Sequence, residues 1–271
     1  MEWLQHHFQY YNIQSLDVSQ DPRPPADKAA YMQAITKNLV RYWELTNTRY
    51  LFGMAGPWVD ALNQQFDPQQ KRFRVHTPFT VERTPKEVSF VSQTNATGPF
   101  ALMEFTGALP RAKLYSQWQT SANDQQALQQ LASPEFNPEQ TVLISGEAPA
   151  PGKGQPGTVE FANYAPKHIK LRAKTDSAAM LLLNDRYDPD WKVTVDGKAA
   201  PLLRANFIMR GVHVPAGEHT IDFHFAPKLT GMYVTLTATG LGVLLCVVIF
   251  VPRKPEQQRP MPTPALVQQQ R

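Results

Sequence analysis

The sequence predicts an α+β N-terminal region followed by a small antiparallel β-sandwich and one C-terminal transmembrane helix. Three observations carry that reading. Thr230–Val251 holds no charged residue, and at about 1.5 Å per residue it is long enough as a helix to cross a hydrocarbon core of roughly 30 Å. Residues 26–45 repeat apolar side chains every three or four positions, the spacing of one helix face. Residues 158–225 fall into short runs bounded by turn residues, the pattern of a sandwich.

Composition narrows the function classes. The net charge of +4 is spread along the chain, so no basic patch recommends a nucleic acid as partner. The 24 prolines imply many turns and favour a β-rich extracytoplasmic region over a helical bundle. Cys246, the single cysteine, lies inside the apolar stretch, which leaves no disulfide framework. Met1–His7 has neither a basic n-region nor an apolar h-region, so it does not read as a secretory signal. The expectation is therefore the end of a longer polytopic protein, whose earlier spans deliver this region. Arg253, Lys254, Arg259 and Arg271 follow the span, whereas only Arg210 and Lys228 stand in the 20 positions before it. That bias predicts a cytoplasmic C-terminus and an extracytoplasmic bulk.

Taken in order, residues 1–146 form the α+β region. An extended lead-in closes at Asp21-Pro22-Arg23-Pro24-Pro25. His6 and His7 point in different directions on any regular element and suit no metal. A single helix is expected from Ala26 to Leu45, with Asp27 as its cap, then a short strand Arg49–Phe52 and a helix Pro57–Phe66. Arg72–Ser92 reads as strands broken at Pro78 and Pro85. Ala101–Phe105 and Ala112–Trp118 read as one strand each, Asn123–Ala132 as a helix and Thr141–Ile144 as a strand. Residues 147–157, rich in Pro and Gly, read as a linker.

The sandwich module spans 158–228. Its expected strands are Thr158–Phe161, His168–Ala173, Met180–Leu183, Trp191–Val195, Leu202–Phe207 and Thr220–Phe225. Asp196-Gly197 is the strongest hairpin signal, because both turn positions need positive φ. The expected core is Ile169, Leu171, Leu181, Leu183, Trp191, Val193, Val195, Phe207, Val212, Ile221, Phe223 and Phe225. The transmembrane helix occupies 229–252, and the Pro- and Gln-rich residues 253–271 read as a disordered cytoplasmic tail.

Asn184–Lys198, then Arg204-Ala205-Asn206, then Val214–His219, resemble as an ordered set the C-terminal extracytoplasmic module and last transmembrane helix of YfhO-type bacterial membrane proteins. Asp188 and Asp190 stand where that family more often has Tyr and Gly, which leaves the turn less sharply specified. Asn47–Leu51 and Ala108–Ala112 resemble two further family stretches. The resemblance implies a polytopic glycosyltransferase using a lipid-linked donor and acting on cell-envelope glycans. It places the catalytic carboxylate in an early loop between the first spans, so no catalytic residue is assigned here, and no cofactor is implied. The implied partners are the lipid bilayer, upstream transmembrane helices of the same parent protein or of a partner subunit, and a glycan or lipid-linked sugar.

No GxSxG, Walker-type loop, HExxH or Rossmann fingerprint occurs. Asp185, Asp188, Asp190 and Asp196 lack the glycine and terminal glutamate of a calcium loop, so no metal is assigned. Trp191 alternates with Val193 and Val195 and belongs to the core. That leaves Asp185, Arg186 and Tyr187 as the candidate substrate-binding contacts. Two other classes stay open: a membrane-anchored carbohydrate-binding module, and a non-enzymatic scaffold whose span packs through Ala238 and Gly242.

Overall fold

The computed structural model describes residues 8, 10–11, 13–16, 23–83 and 90–250. The signal and histidine readings at 1–7, the Asp21-Pro22 turn, the Pro85 break and the tail after Pro252 lie outside them. The chain divides into two compact units, Met1–Ala226 and Pro227–Arg271.

The expected first helix is two helices, α1 (Ala26–Ile35) and α2 (Leu39–Leu45). The break is local chemistry. Thr36 turns its hydroxyl onto the Met32 carbonyl, and the Asn38 side chain accepts the Arg41 N–H, capping a new helix in mid-pattern. β1 (Tyr50–Met54) and α3 (Pro57–Gln65) follow. Then come β2 (Phe73–Arg83), β3 (Phe90–Thr94) and β4 (Phe100–Phe105). Pro78 does not break β2: it stays in register with Ala101 of β4, and its carbonyl accepts the Asn95 N–H just past the end of β3. Its missing N–H thus falls where β3 no longer pairs.

These strands form an antiparallel sheet ordered β1-β4-β2-β3. Its inner face packs Phe73, Ala101, Met103 and Phe105 on Val40 and Val59 of the helices. Its outer face carries a stacked aromatic group, Phe52, Phe79 and Phe100. Beside them the buried Glu104 holds Arg49 and Arg74.

The 112–118 run, expected as one strand, is two: β5 (Ala112–Tyr115) and β6 (Gln117–Ser121). They end at opposite edges of a six-stranded sheet, β5-β10-β14-β13-β7-β6. α4 (Asp124–Ala132), capped by the Asn123 side chain, connects β6 to the parallel β7 (Thr141–Ser145). The rest of that sheet is β10 (Ala179–Arg186), β13 (Leu203–Ala205) and β14 (Met209–Val214). Strands on both sides of residues 147–157 thus share one sheet. Gly152, Gly154 and Gly157 pack against residues 174–178.

A third, antiparallel sheet is ordered β12-β11-β15-β9-β8. Its strands are β8 (Thr158–Ala165), β9 (His168–Thr175), β11 (Trp191–Val195), β12 (Lys198–Ala200) and β15 (Gly217–Phe225). β12 and β14 were not among the expected strands. β12 has three residues, too few for alternation to register. β14 is buried along nearly its whole length and shows no polar face to mark it.

The second and third sheets pack face to face. Ile169, Leu171, Leu181, Leu183, Trp191, Val193, Val212, Ile221 and Phe223 share their core with Ala112 and Leu114 of β5, and Val195 and Phe225 line its margin. Phe207 lies instead on the helix side of the six-stranded sheet, stacked with Tyr31. That part of the molecule is three layers: helices, a mixed sheet and an antiparallel sheet. The turn at Asp196 (φ 51) and Gly197 (φ 75) has the two positive φ values its sequence demands.

In the second unit, α5 (Thr230–Phe250) is a 21-residue helix without an Asp, Glu, Lys or Arg. Its length and composition suffice to cross a membrane. Thr235, Thr237 and Thr239 donate their hydroxyls to the carbonyls of Gly231, Tyr233 and Thr235 at 2.8–2.9 Å. This satisfies inside the helix the polar groups that interrupt its hydropathy.

Candidate functional site

The three candidate contacts lie where β10 leaves its sheet. Leu183 pairs with Arg210 and Arg186 with Met209, so Asn184 and Asp185 are extra residues in the ladder. Such a bulge bends the strand and re-aims side chains. Asn184 donates its backbone N–H to the Arg111 carbonyl and its side-chain amide to the Leu45 carbonyl. Asp185 is then held between two arginines.

One Asp185 carboxylate oxygen accepts Arg111 Nε at 3.0 Å, and the other accepts a terminal nitrogen of Arg210 at 3.0 Å. The Asp185 and Arg210 side chains are 9% and 5% exposed, against 26% for Arg111. The aspartate therefore sits largely beneath the surface, and the accessible edge belongs to Arg111. An aromatic ring lies against each guanidinium: Trp191 is 3.9 Å from Arg210, and Tyr164 is 4.4 Å from Arg111, centroid to carbon. Arg111 also donates to the Tyr164 hydroxyl and to the Gln14 side-chain oxygen. Burial pulls the Arg210 pKa down against the attraction of Asp185. Burial, with Asp185 nearby, pushes the Tyr164 phenol up. Arg210 Nε and one terminal nitrogen are buried without a hydrogen-bond partner.

Arg186 faces elsewhere, and Tyr187 is tied down through its backbone. Arg186 is half-exposed and pairs with Asp27 at the start of α1, at 2.8 Å. Burial would raise the Asp27 carboxyl, but the hydrogen bond from Arg186 and that from the Lys28 N–H hold it below the usual range. Tyr187 donates its backbone N–H to the Ile208 carbonyl, and its side chain is partly buried. The structure thus gathers Asp185 with Arg111 and Arg210, and sets Arg186 with Asp27.

The turn that follows is tightly specified. The Asp188 carboxylate accepts the Asp190 N–H at 2.8 Å, and the Asp188 carbonyl accepts the Trp191 N–H. The carboxylate side chain fixes the turn at the position where the family pattern has an aromatic residue. Trp191, 9% exposed, is core, as its alternation predicts. Sequence reasoning missed Arg111, Arg210, Tyr164 and Gln14. Arg111 was visible only as a letter of the 108–112 stretch, and nothing local ties it to a residue 74 positions away.

Two arginines around one carboxylate supply recognition or structural pairing. Both oxygens of the Asp185 carboxylate are committed to those arginines.

Residues 154–237 match the family model described as bacterial membrane protein YfhO. The matched stretch runs from just before β8 through β15 and into α5. It contains the 184–198, 204–206 and 214–219 segments that carry the resemblance, while the 47–51 and 108–112 stretches lie outside it. Among solved structures, the cryo-EM structure of arabinofuranosyltransferase AftD from mycobacteria is similar at 13% identity and a TM-score of 0.28, over 77% of this chain and 14% of that one. This chain spans about a seventh of that protein's length. No curated protein matches. The family match and the apolar helix α5 support a place in the membrane.

Proposed function

We propose that this chain is the extracytoplasmic C-terminal portion of a YfhO-like bacterial integral membrane protein, part of a glycosyltransferase that moves sugar from a lipid-linked donor to cell-envelope glycans. The observation that carries the reading is the family match, whose residues 154–237 take in β8 through β15 and the first two turns of α5. The catalytic carboxylate lies elsewhere in the parent protein. This portion supplies the last span and an outer module, with the Asp185, Arg186 and Tyr187 corner, reached through the accessible edge of Arg111, as its contact with the sugar-bearing substrate. Arg253, Lys254 and Arg259 after the helix support the assigned orientation.

Orientation is tested with the chain's own chemistry. Cys246 is its single cysteine, so in a Cys246→Ala background an introduced cysteine is the only label site. Lys198→Cys, exposed at the Asp196-Gly197 hairpin, is expected to react with a membrane-impermeant maleimide in intact spheroplasts. Gln257→Cys should react only after lysis. The reverse pattern would overturn the orientation. Transfer is tested by deleting the parent gene and measuring envelope glycan composition by mass spectrometry, with loss of one sugar substituent expected. An unchanged glycan profile would remove the transferase reading and leave the membrane placement intact.

A further inference from the structure

We propose that Arg111 and Arg210 form an anion site, and that its ligand is a phosphate group carried by a lipid-linked or a free sugar. The anion site stands on the geometry alone. The choice of phosphate rests on the transferase reading above.

Three observations converge on an oxyanion. The first is an excess of donors. Each guanidinium has five N–H groups in a planar fork, and Asp185 takes only part of the two forks. Arg210, 4% exposed, keeps Nε and one terminal nitrogen without partners. Buried donors left unmade are costly, and a phosphate has oxygens enough to engage them together with Arg111.

The second is what occupies Arg111. Apart from Asp185, its partners are neutral: the Gln14 amide oxygen and the Tyr164 hydroxyl. Gln14 belongs to an exposed stretch, residues 13–15. Its amide oxygen holds the place on the accessible guanidinium that an anionic oxygen would take, and an anion makes the stronger bond there.

The third is orientation. Trp191 lies against the Arg210 guanidinium carbon, which holds that fork without using its in-plane N–H groups, and Tyr164 holds the Arg111 fork with both its ring and its hydroxyl. The opposing charge is Asp188, which acts on Arg210 at longer range. One of its oxygens is already committed to the Asp190 N–H. Asp188 therefore weakens the site without filling it.

The test uses the full chain in phosphatidylcholine nanodiscs. Binding of inorganic phosphate and of glucose 1-phosphate is followed by phosphorus NMR, and a parallel set of discs is doped with a polyprenyl phosphate. Saturable binding is expected in at least one arm, and the arm that binds identifies a free or a lipid-borne source. Arg111→Gln should weaken it about tenfold or more, the loss of a charge-assisted pair. Gln14→Glu places a carboxylate at the proposed oxygen position, so it should block phosphate while raising the melting temperature; that combination cannot come from misfolding. Asp188→Asn should tighten binding severalfold. No saturable binding in any arm, or binding indifferent to both Arg111→Gln and Gln14→Glu, would overturn the site. Phosphate binding by a protein whose deletion leaves the envelope glycans unchanged would keep the site and discard the transferase reading.

Discussion

Asn206 has positive φ (43°) and is 2% exposed. Its side-chain oxygen accepts the Leu143 N–H at 3.0 Å, and its own N–H donates to the Leu143 carbonyl. An asparagine tolerates that backbone region better than most residues, and here its amide also closes the β7 ladder. Asn206→Ala should cost about 2 kcal/mol or more by urea denaturation, since it strands a buried N–H and keeps the unfavourable φ. The Asp196-Gly197 hairpin adds a titrating pair. His219 Nδ1 lies 2.6 Å from Asp196 Oδ2, and Asp196 Oδ1 accepts the Thr220 N–H. The hydrogen bond to Asp196 holds the imidazole above its usual value, and the same bond holds the Asp196 carboxyl below its own. The histidine's contribution is complete below about pH 6.5, the unfolded value, and is lost as pH rises through the raised one. The aspartate's is complete above about pH 4 and is lost as pH falls through the depressed value. Urea midpoints against pH should therefore fall on both sides of a plateau, and His219→Gln should remove the alkaline decline. The hairpin was legible because Asp-Gly states its own geometry. The role of Asn206 was not, because its partner lies 63 residues away.

Among the elements, the segment from 147 to 157 shows how composition underdetermines packing. Pro and Gly without periodicity read as a linker, yet a Cβ on Gly157 would meet the Lys174 carbonyl oxygen at 1.7 Å. That glycine is a point of close backbone approach between the segment and β9. Gly157→Ala should cost roughly 2 kcal/mol or more through overpacking against backbone that cannot give way, whereas Lys153→Ala on the same segment should change the melting temperature little. The 112–118 run carries the same lesson. A stretch of β-forming residues shows that strands exist, but not that a bend at Ser116 sends its halves to opposite edges of one sheet. Short-range pattern gave most strands of the module, since alternation is local. The helix break at Thr36–Asn38 needed side-chain caps that periodicity overrode.

For the molecule as a whole, the six-stranded sheet decides what can fold alone. Its β10, β13 and β14 come from after residue 157, and β5, β6 and β7 from before 147. Residues 158–228 expressed alone would expose Met180, Leu182 and Met209, which are buried against Tyr115 and the helices. They would also lose Ala112 and Leu114 from the inter-sheet core. That fragment is expected to give a poorly dispersed NMR spectrum, whereas Met1–Ala226 should unfold in one cooperative transition. The fold class was legible at this scale because burial patterns and span length are properties of the chain itself. The Arg111–Asp185–Arg210 group was not, because it exists only once β5, β10 and β14 stand side by side. The threonines of α5 carry a different consequence. With three hydroxyl protons committed to their own helix's carbonyls, the stretch from Thr235 to Thr239 offers a neighbouring helix shape more than hydrogen-bond donors. Any assembly along that stretch would be chosen by steric fit and tuned by the lipids that compete for the same grooves.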